Sequence, residues 1–354
     1  FDDSKWRSLD LPHDWAGELP FVEDNGGEGD NQLRSHGFKP LGRRYPETSI
    51  GWYRREFDIP TGDLGRRIWV DFDGAFRDVM VFVNGCFIGR NNNGYAPFRF
   101  DLTDFLSYGA KNAIVVRVDA SFGDGWFYEG AGLYRHVWLT KTDTVHLGHL
   151  DSTVRSIIKA GAADLALATI VENREDRPVA AKASWIIRDA MGVTVATVET
   201  PIQTVPPNAS LGFETARALK KPVLWSPDHP NAYTATVPLD TAGRLGDGEV
   251  VTFGVRTAVF TADKGFFLND QNVKIQGVCN HQDHAGVGAA LPDRLQAFRV
   301  GVMQGMGCNA IRSSHNMPTP ELVEACDRMG VMMMVETRMM SSSPEGLAQL
   351  ETMI

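Results

Sequence analysis

Three polar residues late in the chain, Arg312, His315 and Glu336, fall where strand candidates stop. Residues 309–334 read as strand, polar loop, helix and strand, with Arg312 and His315 at the end of the first strand. In a β/α barrel that strand end belongs to the catalytic face. A permanently charged guanidinium fork beside a titratable imidazole suits a polyhydroxylated or anionic ligand. The same residues also fit an ordinary βαβ unit carrying a surface Arg and His. Glu336 closes the following strand, where a carboxylate is a candidate general acid or base. One strand earlier, Asn280-His281-Gln282-Asp283-His284 places two imidazoles and a carboxylate close together. Such a set could bind a divalent metal. The two His are three apart on a loop, however, and no further ligand clusters nearby.

The elements that must position these residues follow from hydrophobic periodicity. Residues 1–141 read as all-β, with strands over 52–59, 67–72, 79–88, 98–102, 113–118 and 133–139. Asn84-Gly85 marks a two-residue hairpin, because both turn positions need positive φ. Regular short strands of this kind suggest a sandwich or jelly roll. Residues 142–257 form a second β block, with strands over 165–171, 183–187, 193–198, 232–238 and 250–255, suited to an immunoglobulin-like sandwich. From 258 to 354 the pattern changes. Val273–Asn280 reads as a buried strand, and residues 291–306 as a helix with Leu295, Phe298, Val302 and Met306 on its apolar face. The strand 309–314 follows, then a helix capped by Thr319 and Gly330, then the strand 331–335. Strand–helix repetition implies parallel pairing with right-handed crossovers. Met332, Met333 and Met334 read as core, not as a soft-metal site. The expected fold class is therefore a jelly-roll domain, an immunoglobulin-like β-sandwich and the first three strands of a (β/α)8 TIM barrel.

Composition narrows the function. A net charge of −9 argues against nucleic acid or an anionic membrane surface as partner, and no apolar run approaches a membrane span. The four cysteines show no CxxC spacing and read as free, mostly buried thiols. The Gly-rich run 23–29 lacks the following helix and Lys-Ser/Thr of a phosphate loop. Neither a cofactor nor a metal is expected. The chain begins at Phe1 without a signal sequence, so a preceding segment is expected and the compartment stays open.

The segment 309–334 resembles the first signature of glycoside hydrolase family 2, the β-galactosidase, β-glucuronidase and β-mannosidase group. Asn309, Ile311, Arg312, Ser313, Ser314, His315, Leu322, Val323, Asp327, Gly330 and the run Val331–Met334 fall in place. Asn316 and Met317 depart where the pattern has Tyr and Pro. Leu224-Trp225-Ser226-Pro227 resembles a phrase of the family's second domain, with Trp225 as a core anchor. The resemblance implies that His281 and Asp283 hydrogen-bond sugar hydroxyls, although Asn280 and Gln282 replace the commoner Arg and Glu. It implies that Arg312 orients a catalytic carboxylate, that His315 contacts the sugar, and that Asn316 adds a polar contact. Glu336 becomes a supporting carboxylate outside the catalytic pair. The run 119–135 resembles a loop that reaches the active site, so Asp124 and Trp126 either contact substrate or brace the domain interface.

Retaining glycosidases use two carboxylates about 5–5.5 Å apart. The family's acid/base and nucleophile Glu lie on the fourth and seventh barrel strands, beyond Ile354, so no catalytic residue is expected in this chain and 1–354 alone is expected to be inactive. The only Asn-Arg-Glu, at 173–175, reads as a turn. The resemblance implies a retaining exo-β-glycosidase acting on terminal β-linked sugars, foremost a β-galactosidase. The alternatives are β-glucuronidase, β-mannosidase, or a carbohydrate-binding fragment without catalysis. The expected partner is a carbohydrate, foremost a β-galactoside. An incomplete barrel should leave apolar faces uncovered, so a second copy or a complementing C-terminal fragment is a further expected partner.

Overall fold

The computed structural model describes residues 2–19, 49–121, 127–159, 161–241, 244–338 and 342–353. Seven strands build the first unit: β1 (Ile50–Ile59), β2 (Arg67–Phe72), β3 (Asp78–Val83), β4 (Cys86–Asn91), β5 (Phe98–Asp101), β6 (Ala110–Asp119) and β7 (Val137–Thr142). They pair antiparallel in two sheets, β1-β6-β3-β4 and β5-β2-β7, the jelly-roll architecture. Alternation in β2 and β3 turns Val70, Phe72, Val79, Val81 and Val83 into the space between the sheets, against Val116 and Val118 of β6. Asn84 (φ 51°) and Gly85 (φ 84°) make the β3–β4 turn, as the hairpin signal predicts. Leu133 does not begin β7. Residues 131–133 pair instead with the N-terminal segment, where His13 N–H donates to the Leu133 carbonyl and Trp15 N–H to that of Ala131.

Nine strands follow: β8 (Val145–Leu147), β9 (Thr153–Lys159), β10 (Ala162–Asn173), β11 (Val179–Arg188), β12 (Thr194–Glu199), β13 (Gln203–Val205), β14 (Ala209–Lys220), β15 (Ala232–Thr241) and β16 (Arg244–Gly254). One sheet runs β14-β10-β8 with β9 also on β10, and the other runs β12-β11-β15-β16 with β13 also on β11. Leu165, Leu167 and Val171 of β10 meet Trp185 and Ile187 of β11 in the immunoglobulin-like core. The Asn173–Glu175 turn is structural: buried Asn173 donates to the carbonyls of Arg177, Val205 and Pro206.

A small meander, β17 (Ala258–Thr261), β18 (Gly265–Leu268) and β19 (Gln271–Asn272), leads into the barrel segment. There β20 (Gly277–Asn280), α1 (Asp293–Gly305), β21 (Ala310–Ser313), α2 (Pro320–Met329), β22 (Met332–Met334) and α3 (Pro344–Glu351) alternate, and the three strands pair in parallel. Thr319 caps α2 through its side chain and Gly330 closes it at φ 77°.

Three expectations need correction. The stretch 273–280 is not a buried strand: only Gly277–Asn280 pairs, and those residues are exposed or half-buried. The buried face of α1 carries Gln296, Val300 and Met303, while Phe298, Val302 and Met306 are 60%, 47% and 65% exposed. The helix has apolar residues on two faces, and periodicity alone cannot say which one meets the described strands. Of the cysteines only Cys326 is buried, whereas Cys86 and Cys279 are exposed.

Candidate functional site

The strand register aligns the site. Val278, Ile311 and Met333 pack toward the helices, against Val300, Met303, Leu322 and Cys326. Alternation therefore turns their neighbours Cys279, Arg312 and Met334 to the other side of the sheet, in one cross-strand row. Arg312 Nε donates to Glu336 Oε2 at 2.8 Å, and its Nη2 lies 2.7 Å from the same oxygen. His315 Nδ1 lies 2.8 Å from Glu336 Oε1. The carboxylate thus holds the guanidinium with one oxygen and the imidazole with the other. The tautomer with the proton on Nδ1 satisfies Glu336, which leaves Nε2 as an acceptor in the neutral ring. Arg312 Nη1 also reaches Cys279 Sγ at 3.5 Å. That contact and Ser314 hold the Cys279 thiol below its ordinary pKa.

His281 joins this group from the preceding strand end. Its ring centroid is 5.2 Å from that of His315, at 90°. Burial pushes the His281 imidazole below its ordinary pKa; Asp283, half-buried in the same loop, opposes this, and His315 and Arg312 reinforce it. A neutral ring donates one hydrogen bond and accepts one, which fits an alternating hydroxyl pattern. Arg299 of α1 fixes the loop by donating to Asn280 Oδ1 and the His281 carbonyl. Asn316 is 2% exposed, and its Nδ2 has no hydrogen-bond partner among the described residues.

The jelly-roll domain contributes a residue that pattern reading passes over. Phe127, 6% exposed, places its ring 5.0 Å from His281 and 5.6 Å from His315. Arg338 lies 5.1 Å over the same ring. The signal was available, because Phe127 is the residue after Trp126 in the loop motif, but a phenylalanine there reads as core. Asp124 and Trp126 lie outside the described residues, as does the Gly-rich run 23–29.

Further contacts tie the jelly roll to the barrel segment. Gln282 Nε2 donates to the Glu129 carbonyl at 3.2 Å. The buried Asp14 carboxylate accepts from Ala16 N, Ala131 N, Ala289 N and Tyr128 Oη at 2.7–3.0 Å. Arg135, 5% exposed, donates to the carbonyls of Asp73, Tyr95 and Met317. On the other side, Trp225 Nε1 donates to the Asp327 carbonyl at 2.9 Å, joining the sandwich to the barrel segment. A separate cleft of about 1380 Å³ opens on the jelly-roll flank, lined by Trp6, Trp52 and Trp138 among others, and none of the strand-end residues lines it.

Chemically, the described strand ends and their loops offer two imidazoles, the engaged Glu336 carboxylate, the half-buried Asp283 carboxylate and the buried amide of Asn316. That arrangement can hold and orient hydroxyl groups. Among the described residues, the one group of side chains with metal-ligand spacing is elsewhere, at His136, Asp293 and Glu321. Those residues are far apart in sequence and gave no spacing signal.

Comparison with known proteins covers nearly the whole chain. Residues 43–143 match the model of the sugar binding domain of glycosyl hydrolases family 2, residues 145–256 that family's middle domain model, and residues 259–351 its TIM barrel domain. A β-galactosidase of Bacteroides ovatus is 37% identical over 95% of this chain and 38% of its own length. A β-glucuronidase of Bacteroides fragilis is 28% identical over 93% of this chain and 46% of its own. The crystal structure of a β-glycosidase from Bacteroides vulgatus superposes with a TM-score of 0.83 at 34% identity, covering 95% of this chain and 41% of that one. The chain thus spans less than half the length of each of these relatives.

Proposed function

The chain belongs to glycoside hydrolase family 2, and from that premise we propose that it forms the sugar-facing N-terminal part of a retaining exo-β-glycosidase of β-galactosidase type. The Glu336 carboxylate gripping both Arg312 and His315 carries this reading. It presets an imidazole at the mouth of the strands, beside His281 and the buried amide of Asn316. In this reading His281, Asp283, His315 and Asn316 hydrogen-bond sugar hydroxyls, and contacts that strengthen as the ring flattens favour the transition state. Arg312 and Glu336 position that set. The acid/base and nucleophile carboxylates come from later strands of a longer protein, so residues 1–354 alone bind sugar without hydrolysing it. Domain borders near 141 and 257 belong to the same proposal, as does Asp124 or Trp126 meeting the substrate.

One observation favours β-glucuronidase as a second reading. Arg338 is 5% exposed, lies over Phe127 and has no ion-pair partner among the described residues. A buried guanidinium without a counter-ion fits a sugar carboxylate. Arg312, by contrast, is already matched by Glu336.

A panel of nitrophenyl β-glycosides, assayed with the full-length protein, tests both readings. Turnover of the β-galactoside above the others is expected. Preferential turnover of the β-glucuronide, lost in Arg338→Met, would replace the first reading with the second. Turnover of neither, or hydrolysis by purified residues 1–354, would overturn the assignment of roles.

A further inference from the structure

We propose that His136, Asp293 and Glu321 form a divalent-cation site at the seam between the jelly-roll domain and the barrel segment. His136 directly precedes β7, Asp293 opens α1, and Glu321 lies in the first turn of α2. Their donor atoms all lie within 4.8 Å of one another. His136 Nε2 is 2.8 Å from Asp293 Oδ1 and 3.8 Å from Glu321 Oε1. One imidazole nitrogen between two carboxylates is a mixed nitrogen–oxygen set of the kind that holds Zn²⁺ or Mn²⁺, and the carboxylates alone suit Ca²⁺.

The surroundings favour a bound cation over a simple ion pair. Neither carboxylate pairs with a Lys or Arg among the described residues, and their donor atoms share one small space with the His136 imidazole. The three ligands are half-buried or exposed, but a buried polar group lies beside them. Gln296, one turn along α1 from Asp293, is 4% exposed and donates through Nε2 to Thr319 Oγ1 at 3.2 Å. Thr319 is the cap of α2, two residues before Glu321, so the amide head sits between the same two helix starts. Its Oε1 has no hydrogen-bond partner among the described residues, and a buried acceptor normally has one. The positive ends of α1 and α2 stabilise the carboxylates in place but oppose a cation, so the affinity is set by the three ligands together. An ion there ties three elements from two domains.

Thermal unfolding of the chelator-treated protein, with Zn²⁺, Mn²⁺ or Ca²⁺ added separately, tests this. At least one cation is expected to raise Tm by about 5 °C at a hundredfold excess over its dissociation constant. The double variant Asp293→Asn, Glu321→Gln should lose the rise. Equilibrium dialysis should give one ion per wild-type chain and none per variant chain, which covers the case of a variant with altered baseline stability. A Zn²⁺ or Mn²⁺ effect abolished by His136→Ala supports the mixed set. An effect of any of the three ions that survives His136→Ala overturns the three-ligand site. No rise with any of the three ions, or a rise that persists in the double variant, overturns the proposal.

Discussion

Replacing Asp14 by Ala should loosen the junction between the jelly roll and the first barrel loop. Asp14 is 4% exposed, and its two oxygens each accept two hydrogen bonds, from Ala16 N and Ala131 N on one side and Ala289 N and Tyr128 Oη on the other. Ala16, Ala131 and Ala289 are 1%, 0% and 4% exposed, so their N–H groups cannot simply turn to solvent. Leaving a buried donor unsatisfied costs about 1–3 kcal/mol. Four donors would approach about 6 kcal/mol. Relief from burying a carboxylate, and a water entering the vacated space, offset part of this. The net expectation is about 3 kcal/mol. Asp14→Asn keeps one acceptor oxygen and should cost about 1–2 kcal/mol. Burial, the largest influence, raises the Asp14 pKa against the pull of its four donors. A raised folded pKa adds stability below the ordinary carboxylate value, and that stability fades as pH climbs through the raised one. Asp14→Asn should therefore hurt more at pH 4 than at pH 7. Urea unfolding gives the totals, and hydrogen exchange at the Ala131 and Ala289 amides localises them. A loss below about 1 kcal/mol for Asp14→Ala, with unchanged protection at those amides, would refute the reasoning.

Other perturbations report on other parts of the chain. Trp225→Phe removes the hydrogen bond to the Asp327 carbonyl and should cost about 1–2 kcal/mol, read by denaturant titration. In the full-length protein, Glu336→Gln and Arg312→Lys should each lower kcat/KM about 100-fold on the preferred glycoside, mostly in kcat, because both reorient His315. His281 is held below its ordinary pKa mainly by burial. Its contribution should be complete above the ordinary imidazole value and lost as pH falls from there, with a slope of at most about 1.4 kcal/mol per pH unit. His281→Asn should flatten that part of a stability–pH curve.

Much of the architecture is legible in the sequence because strands with one buried face alternate. β3 follows its alternation residue for residue, and Asn84-Gly85 marks its turn through positive φ. The α2 helix shows its own ends in Thr319, Pro320 and Gly330. β14 is harder to see, since Gly212 and several charged or small residues dilute its alternation. The apolar stripe of α1 misleads because that helix is apolar on two sides. At the site, Arg312, His315 and Glu336 stand out because they interrupt apolar runs at strand ends. Phe127 does not, because an aromatic residue in a β domain reads as core. The Asp14 network and the His136 cluster are invisible in sequence, since each joins residues more than 100 positions apart.

Phe127 packs against both His281 and His315 but belongs to the jelly roll. The two imidazoles therefore have their walls supplied from different modules, one from the barrel and one from a loop about 150 residues earlier. Changes in that loop can reshape the surroundings of both imidazoles while the barrel sequence stays fixed. A barrel grafted away from its first domain would keep its polar groups but lose the surface that aligns them. In the proposed sugar site, the first domain then shares in shaping specificity.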